Sequence, residues 1–195
     1  MFPRILKTRD DQHLVIREAE ASDAAWLLAY FERVSGETSF LSFGPGEFEM
    51  TEAEEAVYLD RCRSAANCLY VLAFVDQTLA GTLSCSSSNR QRLSHVAEFG
   101  ITVARAFWGR GIGDALMDSM LDWAKASGII KKINLKVRAD NAPAIKLYKK
   151  KGFEVEGVLK KENFVDGVYH DLLHMGVWSE EIGDRSEEIG DRRFE

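Results

Sequence analysis

Three glycines stand within five positions, at Gly109, Gly111 and Gly113, and an amphipathic run begins directly after them. Glycine lets a backbone approach a ligand closely, because it has no side chain. The first turn of a helix also presents N–H groups without intrahelical partners, at the positive end of the helix dipole. The stretch therefore predicts an anion site, such as a phosphate site, where a strand passes into a helix. Taken alone, it is also compatible with a turn that binds nothing.

Other patterns of chemical interest do not fit known sites. A P-loop requires Gly-Lys before Ser or Thr, and a dinucleotide fingerprint requires its third glycine where Leu116 stands. His170 and His174 have the spacing of a helical zinc pair, but VYHDLLHMGVW is predicted to be a strand. Four residues of strand span about 13 Å, so the two histidines cannot bind the same metal ion. Ser84 lacks the Gly-x-Ser-x-Gly elbow of a hydrolase. No metal is predicted.

Composition indicates one globular domain, which we place at residues 1–178 of the 195, with 46% hydrophobic and 29% charged residues. No apolar run approaches the roughly 18 residues of a membrane span, and the first residues do not resemble a secretory leader, so we expect no membrane partner and a cytoplasmic location. Cys62, Cys68 and Cys85 are odd in number and form no Cys-x-x-Cys pair. They predict buried free thiols in a reducing compartment.

The net charge of −6 is concentrated at the carboxyl end. Residues 179–195 hold seven acids and three arginines, a net charge of −4, which leaves −2 for the rest of the chain. A body so close to neutral argues against a nucleic-acid surface and against a basic membrane patch. The same segment repeats SEEIGDR twice with one isoleucine per unit, so we expect a disordered tail.

The first half of the body reads as strand, helix, helix and then three strands. HLVIREA alternates like a strand, and SDAAWLLAYFERV predicts a helix capped by Ser22 or Asp23, with Trp26 on its buried side. Thr51 opens a second helix with Glu54 at capping-box spacing. CLYVLAFVD, TLAGTLSCSSS and HVAEFGITVA then predict an antiparallel meander.

The second half predicts a crossover followed by a hairpin. A helix from about Gly111 to Ser127 stops at Gly128, and the strand INLKVRA follows it. NAPAIKLYKKKGF predicts a short helix capped by Asn141, and FEVEGVLKKENF and VYHDLLHMGVW predict two strands around the turn VDG. The predicted fold class is α+β with a mixed sheet.

The Arg-Gly-x-Gly spacing of Arg110 to Gly113, after a strand ending at Val103, and the downstream NAPAIKLYKKKGF together resemble the acetyl-CoA-binding signatures of the GCN5-related N-acetyltransferase (GNAT) family. The resemblance covers about residues 13–178. SHVAEFGITV and DNAPAIKLYKKKGF are similar to bacterial N-acyltransferases of free L-amino acids, and the final strands to ribosomal-protein acetyltransferases. A mostly antiparallel central sheet with helices on both faces is therefore implied.

The resemblance implies acetyl-CoA as acyl donor and a primary amine as acceptor, for example a free amino acid. Acetylation of a protein N-terminus is the alternative reaction, and an acyl-CoA-binding module without catalysis is the alternative function. The residues leave open whether the chain forms a homodimer.

Residue roles follow from the same resemblance. Ile101 and Val103 would offer backbone hydrogen bonds to the pantetheine arm, Asn141 would contact that arm, and Tyr148 would lie near the sulfur. Asn141 is also explained as a helix cap and Tyr148 as a half-buried aromatic. Lys150 fits either over the phosphates or at a solvated helix end. The pyrophosphate would be held by Arg110, Gly111 and Gly113, and the further residues expected to bind the cofactor are Trp108, Gly109 and Ile112. Many family members carry Gln or Arg where Trp108 stands, so a side chain that often orders the pyrophosphate loop is absent here.

The chemistry requires proton transfer at two atoms. An attacking amine must lose a proton, since α-amino groups have a pKa of about 8 and lysines of about 10.4, and the leaving thiolate must gain one. Glu98, a carboxylate in an otherwise apolar strand, is the candidate base, unless it forms a structural ion pair; His95 is the other candidate. Tyr148 is the candidate acid.

The acceptor would lie near the loop of residues 36–50. Its phenylalanines suit either a core or a pocket, and its carboxylates Glu37, Glu47 and Glu49 suit an ammonium group. Arg90 or Arg92 could pair with the carboxylate of an amino acid.

Deleting residues 180–195 should leave the melting temperature and the turnover nearly unchanged, because that segment offers almost no apolar surface to bury. Thermal melts and steady-state kinetics of the shortened chain test this expectation. A large loss of either would mean that the segment packs on the body or on a second subunit.

Overall fold

The computed structural model describes residues 2–178, so the tail at 179–195 and its expected disorder lie outside the described residues. The helices are α1 (Ala24–Ser35), α2 (Glu52–Ser64), α3 (Ile112–Ser127) and α4 (Ala142–Lys150). The strands are β1 (Arg4–Lys7), β2 (His13–Glu18), β3 (Cys68–Val75), β4 (Thr78–Ser87), β5 (Val96–Val103), β6 (Lys132–Arg138), β7 (Glu154–Val165) and β8 (Val168–Trp178).

One sheet contains these strands in the order β1-β2-β3-β4-β5-β6-β8-β7. Every neighbouring pair is antiparallel except β5 and β6, which run parallel on either side of the crossover helix α3. The predicted α+β class, the mixed and mostly antiparallel sheet and the meander of β3 to β5 are therefore confirmed. The short edge strand β1 was not predicted from the sequence.

Two hydrophobic cores lie on opposite faces of the sheet, because successive side chains of a strand point to opposite sides. On β3, Val71 and Ala73 pack into the core under α3 and α4, whereas Tyr70 and Leu72 pack into the core under α1 and α2. Helices on both faces are confirmed. A site that needs groups from both cores must therefore pass through an opening in the sheet.

The start of α1 differs from the prediction. Neither Ser22 nor Asp23 caps α1 through its side chain. Asp23 instead closes a capping box with Glu20 around a short 3-10 turn, and its carboxylate accepts two hydrogen bonds of 2.7 Å from Arg17. Trp26 was predicted to be buried, but it is 61% exposed, because the buried stripe of the helix runs through its neighbours Leu27, Tyr30, Phe31 and Val34.

The predicted capping box of α2 is confirmed. Thr51 Oγ1 accepts from Glu54 N at 3.3 Å, and Glu54 Oε2 accepts from Thr51 N at 2.9 Å. The buried residues of this helix are Glu55, Leu59 and Cys62, which recur at the i, i+4 and i+7 positions of one helix face.

The prediction of three free thiols is wrong for two of the cysteines. Cys62 and Cys68 form a disulfide that joins the last turn of α2 to the first residue of β3, with Cα atoms 5.0 Å apart, and Cys85 is free and buried. The helix-to-strand turn brings the two residues together, which their spacing does not reveal. Cysteine content therefore gives no support to a reducing compartment. Within residues 2–178 no helix is long and apolar enough to cross a membrane.

Gly81→Ala should lower the free energy of unfolding by about 1–3 kcal/mol, because an added methyl group must displace packed atoms. A Cβ atom at Gly81 would lie 2.8 Å from the backbone oxygen of Thr102 and 3.2 Å from Leu116 Cδ1. Gly100→Ala is the matched control, since the nearest atom to its Cβ is Ser84 Oγ at 3.8 Å. Urea denaturation of both variants tests the contrast, and equal losses would contradict it.

Candidate functional site

The parallel pairing between β5 and β6 is short. It joins Val96 to Lys132, Ala97 to Ile133 and Glu98 to Asn134. Beyond Glu98 each strand keeps its outer partner, β5 pairing with β4 as far as Val103 and β6 with β8 as far as Arg138. The facing edges of β5 and β6 therefore diverge into an opening in the middle of the sheet, which we call the wedge.

Backbone groups of Ile101 and Val103 face the wedge. Ala104 N donates to Ala80 O on the β4 side at 2.9 Å, and alternate residues of a strand direct their N–H and C=O groups to opposite edges. Ile101 and Val103 therefore point the other way, toward β6. The indole Nε1 of Trp108 donates to Val103 O at 2.6 Å. Ile101 thus keeps both backbone groups for a ligand, while Val103 keeps only its N–H.

A cavity of about 1350 Å³ passes through the wedge and reaches both faces of the sheet. Its α3/α4 half is lined by nine of the predicted site residues: Ile101, Val103, Trp108, Gly109, Gly111, Ile112, Gly113, Asn141 and Tyr148. Its α1/α2 half is bounded by those two helices and by the loop of residues 36–50, and is lined by Phe31, Phe40, Phe43 and Phe48. These phenylalanines are both core and pocket, since Phe31 also packs against Phe48 with ring centroids 4.6 Å apart.

The glycine-rich segment has the form predicted for an anion site. Backbone N–H groups of residues 109–114 have no hydrogen-bond acceptor within the described part of the chain. Gly109 and Gly111 have φ values of +76° and +87°, a region that favours glycine, and a Cβ at Gly109 would meet nothing within 4 Å. A Cβ at Gly113 would lie 3.2 Å from Leu147 Cδ2, so this glycine lets α3 pack closely on α4.

Arg110 and Lys150 do not line this cavity. Both lie in an adjoining depression of about 370 Å³. Arg110 donates to Gln12 Oε1 at 2.5 Å and lies 3.3 Å from the Asp10 carboxylate, so its side chain is held away from the glycine-rich segment. Its backbone N–H remains available there, and the predicted contact of its side chain with a pyrophosphate stays a prediction.

Arg9 was not identified from the sequence. Its guanidinium donates to Gly109 O at 3.3 Å and to Asp114 Oδ2 at 3.1 Å, and it lines the main cavity. No local signal could have found Arg9, because it comes from the β1–β2 turn, 100 residues before Gly109.

Arg9, Lys150 and Lys151 surround the single carboxylate of Asp114. Burial alone would raise the pKa of Asp114, but the hydrogen bonds and charges of the two lysines outweigh it and hold the pKa below its usual value. Lys151 also pairs with Asp118 at 2.5 Å, so three cations face two carboxylates and leave net positive charge at the start of α3. This charge adds to the positive end of the helix dipole and favours an anionic ligand.

Tyr148 and Glu98 approach the wedge from opposite faces of the sheet. Tyr148 is 8% exposed and packs edge-on against Phe99 with ring centroids 5.9 Å apart. Burial raises the pKa of its hydroxyl to about 12, so the proton is retained over the working range of pH. Glu98 lies on the other face of β5, at the last paired position, and also lines the cavity. No basic side chain among residues 2–178 forms an ion pair with it.

Asn141 lines the cavity, whereas the alternative base His95 does not. His95 lies outside the cavity lining, and its carbonyl accepts from Lys131 N at 2.8 Å and from Lys132 N at 3.0 Å. Asn141 both caps α4, accepting from Ala144 N at 3.3 Å, and lines the cavity. The capping and ligand-contact roles of Asn141 are therefore compatible. His170 and His174 lie on strand β8, as predicted, and residues 2–178 contain no cluster of three or more potential metal ligands.

The loop of residues 36–50 is fixed to β6 by Arg138. This buried guanidinium donates to Ser39 O at 2.9 Å and lies 4.8 Å from the ring centroid of Phe40. Two predicted carboxylates of the loop already have partners, because Glu37 accepts from Arg105 N and Glu47 from Gly44 N, each at 2.6 Å.

Two arginines that were expected to pair with an acceptor carboxylate lie outside the cavity, whereas a glutamate that was not identified from the sequence lines it. Arg90 and Arg92 are exposed in the β4–β5 connection and do not line the cavity. Glu55 of α2 does line it and is only 1% exposed. The i, i+4, i+7 spacing of Glu55 with Leu59 and Cys62 is the signal that could have identified it.

Comparisons with known proteins identify one family. A family model described as "Acetyltransferase (GNAT) family" matches residues 28–153. L-amino acid N-acetyltransferase AaaT of Escherichia coli is 42% identical over 105 residues, which cover 54% of this chain and 65% of that protein. Spermidine N(1)-acetyltransferase of Vibrio cholerae is 27% identical over 177 residues, which cover 90% of this chain and 99% of that protein.

Solved structures show the same fold. An acetyltransferase of the GNAT family from Streptococcus pneumoniae has a TM-score of 0.82 and 34% identity, covering 85% of this chain and 98% of that one. A putative acetyltransferase from Salmonella typhimurium, yncA, solved with acetyl-CoA, has a TM-score of 0.74 at 18% identity, with 85% and 94% coverage.

Arg9→Ala should weaken the binding of coenzyme A about three- to tenfold, because an exposed charge-assisted contact contributes modestly. The loss should shrink as salt is raised, since ions screen exposed charges. Titration calorimetry at low and high ionic strength measures both effects. Arg92→Ala is the control, because that arginine is exposed outside the cavity. Unchanged affinity in Arg9→Ala would separate this arginine from the site.

Proposed function

Because the chain belongs to the acetyltransferase (GNAT) family, we propose that it transfers the acetyl group of acetyl-CoA to the primary amine of a small molecule, such as a free amino acid. The observation that carries the proposal is the single cavity that passes through the wedge. It joins the glycine-rich segment on one face of the sheet to an aromatic pocket on the other. Donor and acceptor can therefore meet at β5 from opposite sides.

The α3/α4 half has groups that fit coenzyme A. Free N–H groups at residues 109–114, together with Arg9, fit its phosphates. The free backbone groups of Ile101 fit the peptide-like pantetheine arm, in the manner of an added strand. Acetyl-CoA, when bound, supplies an acyl group activated as a thioester.

Glu98 and Tyr148 supply the proton transfers in this proposal. Glu98 accepts the proton of the acceptor ammonium, directly or through water, because it lines the cavity without an ion-pair partner in the described chain. As the bond between the carbonyl carbon and the sulfur breaks, the Tyr148 hydroxyl gives its proton to the departing thiolate from the other face and then regains a proton from solvent. Its pKa of about 12 means that solvent does not remove this proton below about pH 11.

A small acceptor is supported by the walls of the α1/α2 half. Arg138 holds the loop of residues 36–50, which bounds this half together with the helices α1 and α2. Similarity to the L-amino acid acetyltransferase favours an amino acid, whereas similarity over nearly the whole chain to the spermidine acetyltransferase favours a polyamine. A protein N-terminus and binding without catalysis remain the competing functions.

An acetyl-transfer screen across amino acids, polyamines and N-terminal peptides tests the proposal, with release of free coenzyme A as the readout. Turnover of a small amine supports it. Preference for N-terminal peptides over every small amine would favour the protein-acetylating alternative. Binding of acetyl-CoA by calorimetry without turnover of any amine would favour the non-catalytic module.

Tyr148→Phe should lower kcat by about 10²- to 10⁴-fold, the usual contribution of general acid catalysis. The affinity for acetyl-CoA should change little, because the ring contacts with Phe99 and Phe153 persist. Single-turnover kinetics measure the chemical step. Tyr169→Phe, at an exposed tyrosine outside the cavity, is the control. Equal chemical rates in Tyr148→Phe and the parent would remove the hydroxyl from the mechanism.

Glu98→Gln should show a different pH dependence. Without a base the reaction depends on amine that is already deprotonated in solution, so the residual rate should rise with pH toward the pKa of the acceptor. Tyr148→Phe should not show this rise. A pH profile of kcat/KM for each variant tests the difference, and a profile parallel to the parent in Glu98→Gln would exclude Glu98 as the base.

A further inference from the structure

Glu55 is a buried carboxylate that has no hydrogen-bond or ion-pair partner among residues 2–178. It is 1% exposed, and its Oε1 atom has no hydrogen-bond partner in the described chain. Carboxylates are rarely buried unless they are paired, because removal of the charge from water is costly. Burial accordingly raises the pKa of Glu55. Since this group also lines the cavity, a bound ligand could supply the missing partner.

The disulfide and the helix geometry locate Glu55 above the sheet. Cys62 lies on the same face of α2 and is bonded to Cys68 at the start of β3. The seven residues from Cys62 back to Glu55 span about 10 Å of helix, a length that corresponds to about three residues of strand. Glu55 therefore lies over β3 close to Tyr70. The contact between the rings of Tyr58 and Tyr70, with centroids 6.0 Å apart, supports this placement.

The sheet register gives the separation between Glu55 and the wedge. Tyr70 of β3 is opposite Ser84 of β4, and Ser84 is opposite Gly100 of β5. Two steps between neighbouring strands amount to about 10 Å. Glu98 lies on β5 beside the wedge, so the two carboxylates lie toward opposite ends of the sheet surface that bounds the α1/α2 half. Ser84 and Gly100 lie on this surface between the two carboxylates, and their small size leaves the space above them open.

The cations that line the cavity do not neutralise Glu55. Arg138 is engaged by Asp140 at 2.6 Å and by Ser39, and Arg9 is engaged by Asp114. Lys136 is exposed on β6, on the far side of the wedge from β3. The carboxylate therefore has no cationic partner within residues 2–178, and a bound cation could pair with it.

We propose that Glu55 binds a second cationic group of the acceptor, which makes the acceptor a small amine with two positive charges, such as a diamine or a basic amino acid. The inference rests on the proposed function and specifies its acceptor. The reacting nitrogen lies near Glu98, and the second cation lies under α2, where Tyr58 and Tyr70 offer aromatic rings beside it. A singly charged amine leaves the carboxylate unpaired and binds less well.

The test compares matched acceptors in the parent chain and in Glu55→Gln. The pairs are α,ω-diamines against monoamines of equal length, and lysine or ornithine against norleucine. In the parent we expect a lower KM for the doubly charged member of each pair. Glu55→Gln should raise that KM at least about tenfold, the scale of one charge-assisted contact, with kcat within about threefold. KM for the singly charged amines should stay the same or fall.

Controls separate recognition from folding. Glu52→Gln removes an exposed carboxylate from the same helix and should change neither constant. Glu55→Gln should keep or raise the melting temperature, because it removes an unpaired buried charge. A lower melting temperature with equal losses for all acceptors would show a structural role and overturn the proposal. A fall in kcat for all acceptors that high pH restores would show a base and would also overturn it.

Failure of the proposed function is distinguishable from failure of this inference. If the parent acetylates no amine, the proposed function fails. Diamines should still raise the melting temperature of the parent more than that of Glu55→Gln if Glu55 is a cation site. Equal shifts in the two proteins would overturn the inference. KM for a diamine is compared with KM for the basic amino acid that carries an additional α-carboxylate. A lower KM for the amino acid favours basic amino acids as acceptors, and a higher KM favours diamines.

Discussion

The short pairing between β5 and β6 is the constraint on which the site depends. Three residues of β5 pair with β6, and both strands then continue with their outer partners alone. A continuous ladder would satisfy the backbone groups of Ile101 and Val103 and would close the sheet between the two cores. Because the ladder stops at Glu98, one opening exposes those groups and connects the two faces.

The electrostatics of the cavity differ between its two halves. At the start of α3, free N–H groups lie beside three cations, Arg9, Lys150 and Lys151, which outnumber the two carboxylates of Asp114 and Asp118. Across the sheet, Glu98 and Glu55 line the other half without cationic partners from the described chain. The first half suits an anionic donor and the second a cationic acceptor, so each substrate is attracted to its own side of the wedge.

Long-range contacts hold this arrangement in place. Arg138 connects β6 to the loop of residues 36–50, and the disulfide between Cys62 and Cys68 connects α2 to β3. Arg9 connects the first hairpin to the glycine-rich segment. Each of these contacts places one wall of the cavity relative to the central strands, so the shape of the site depends on residues distant from it in sequence.

Most of the secondary structure follows from local sequence patterns, because alternation, caps and glycines act over a few residues. Thr51 and Glu54, Asn141, Gly128 and the turns of the hairpins gave the element order and the class of the sheet. Local spacing also gave the glycine-rich segment, and the resemblance gave Tyr148 and Ile101 at the wedge.

Tertiary structure decided which side chains are free and which are engaged. Arg110 lies in the predicted segment, but Gln12 and Asp10 hold its side chain away, whereas Arg9 arrives from a distant turn. Cys62 and Cys68 meet only because α2 packs back on β3, and the same packing leaves the carboxylate of Glu55 buried without a partner among the described residues. The spacing of Glu55 with Leu59 and Cys62 indicates the buried face of α2, but which groups pair depends on contacts between residues far apart in the chain, and a local pattern does not contain those contacts.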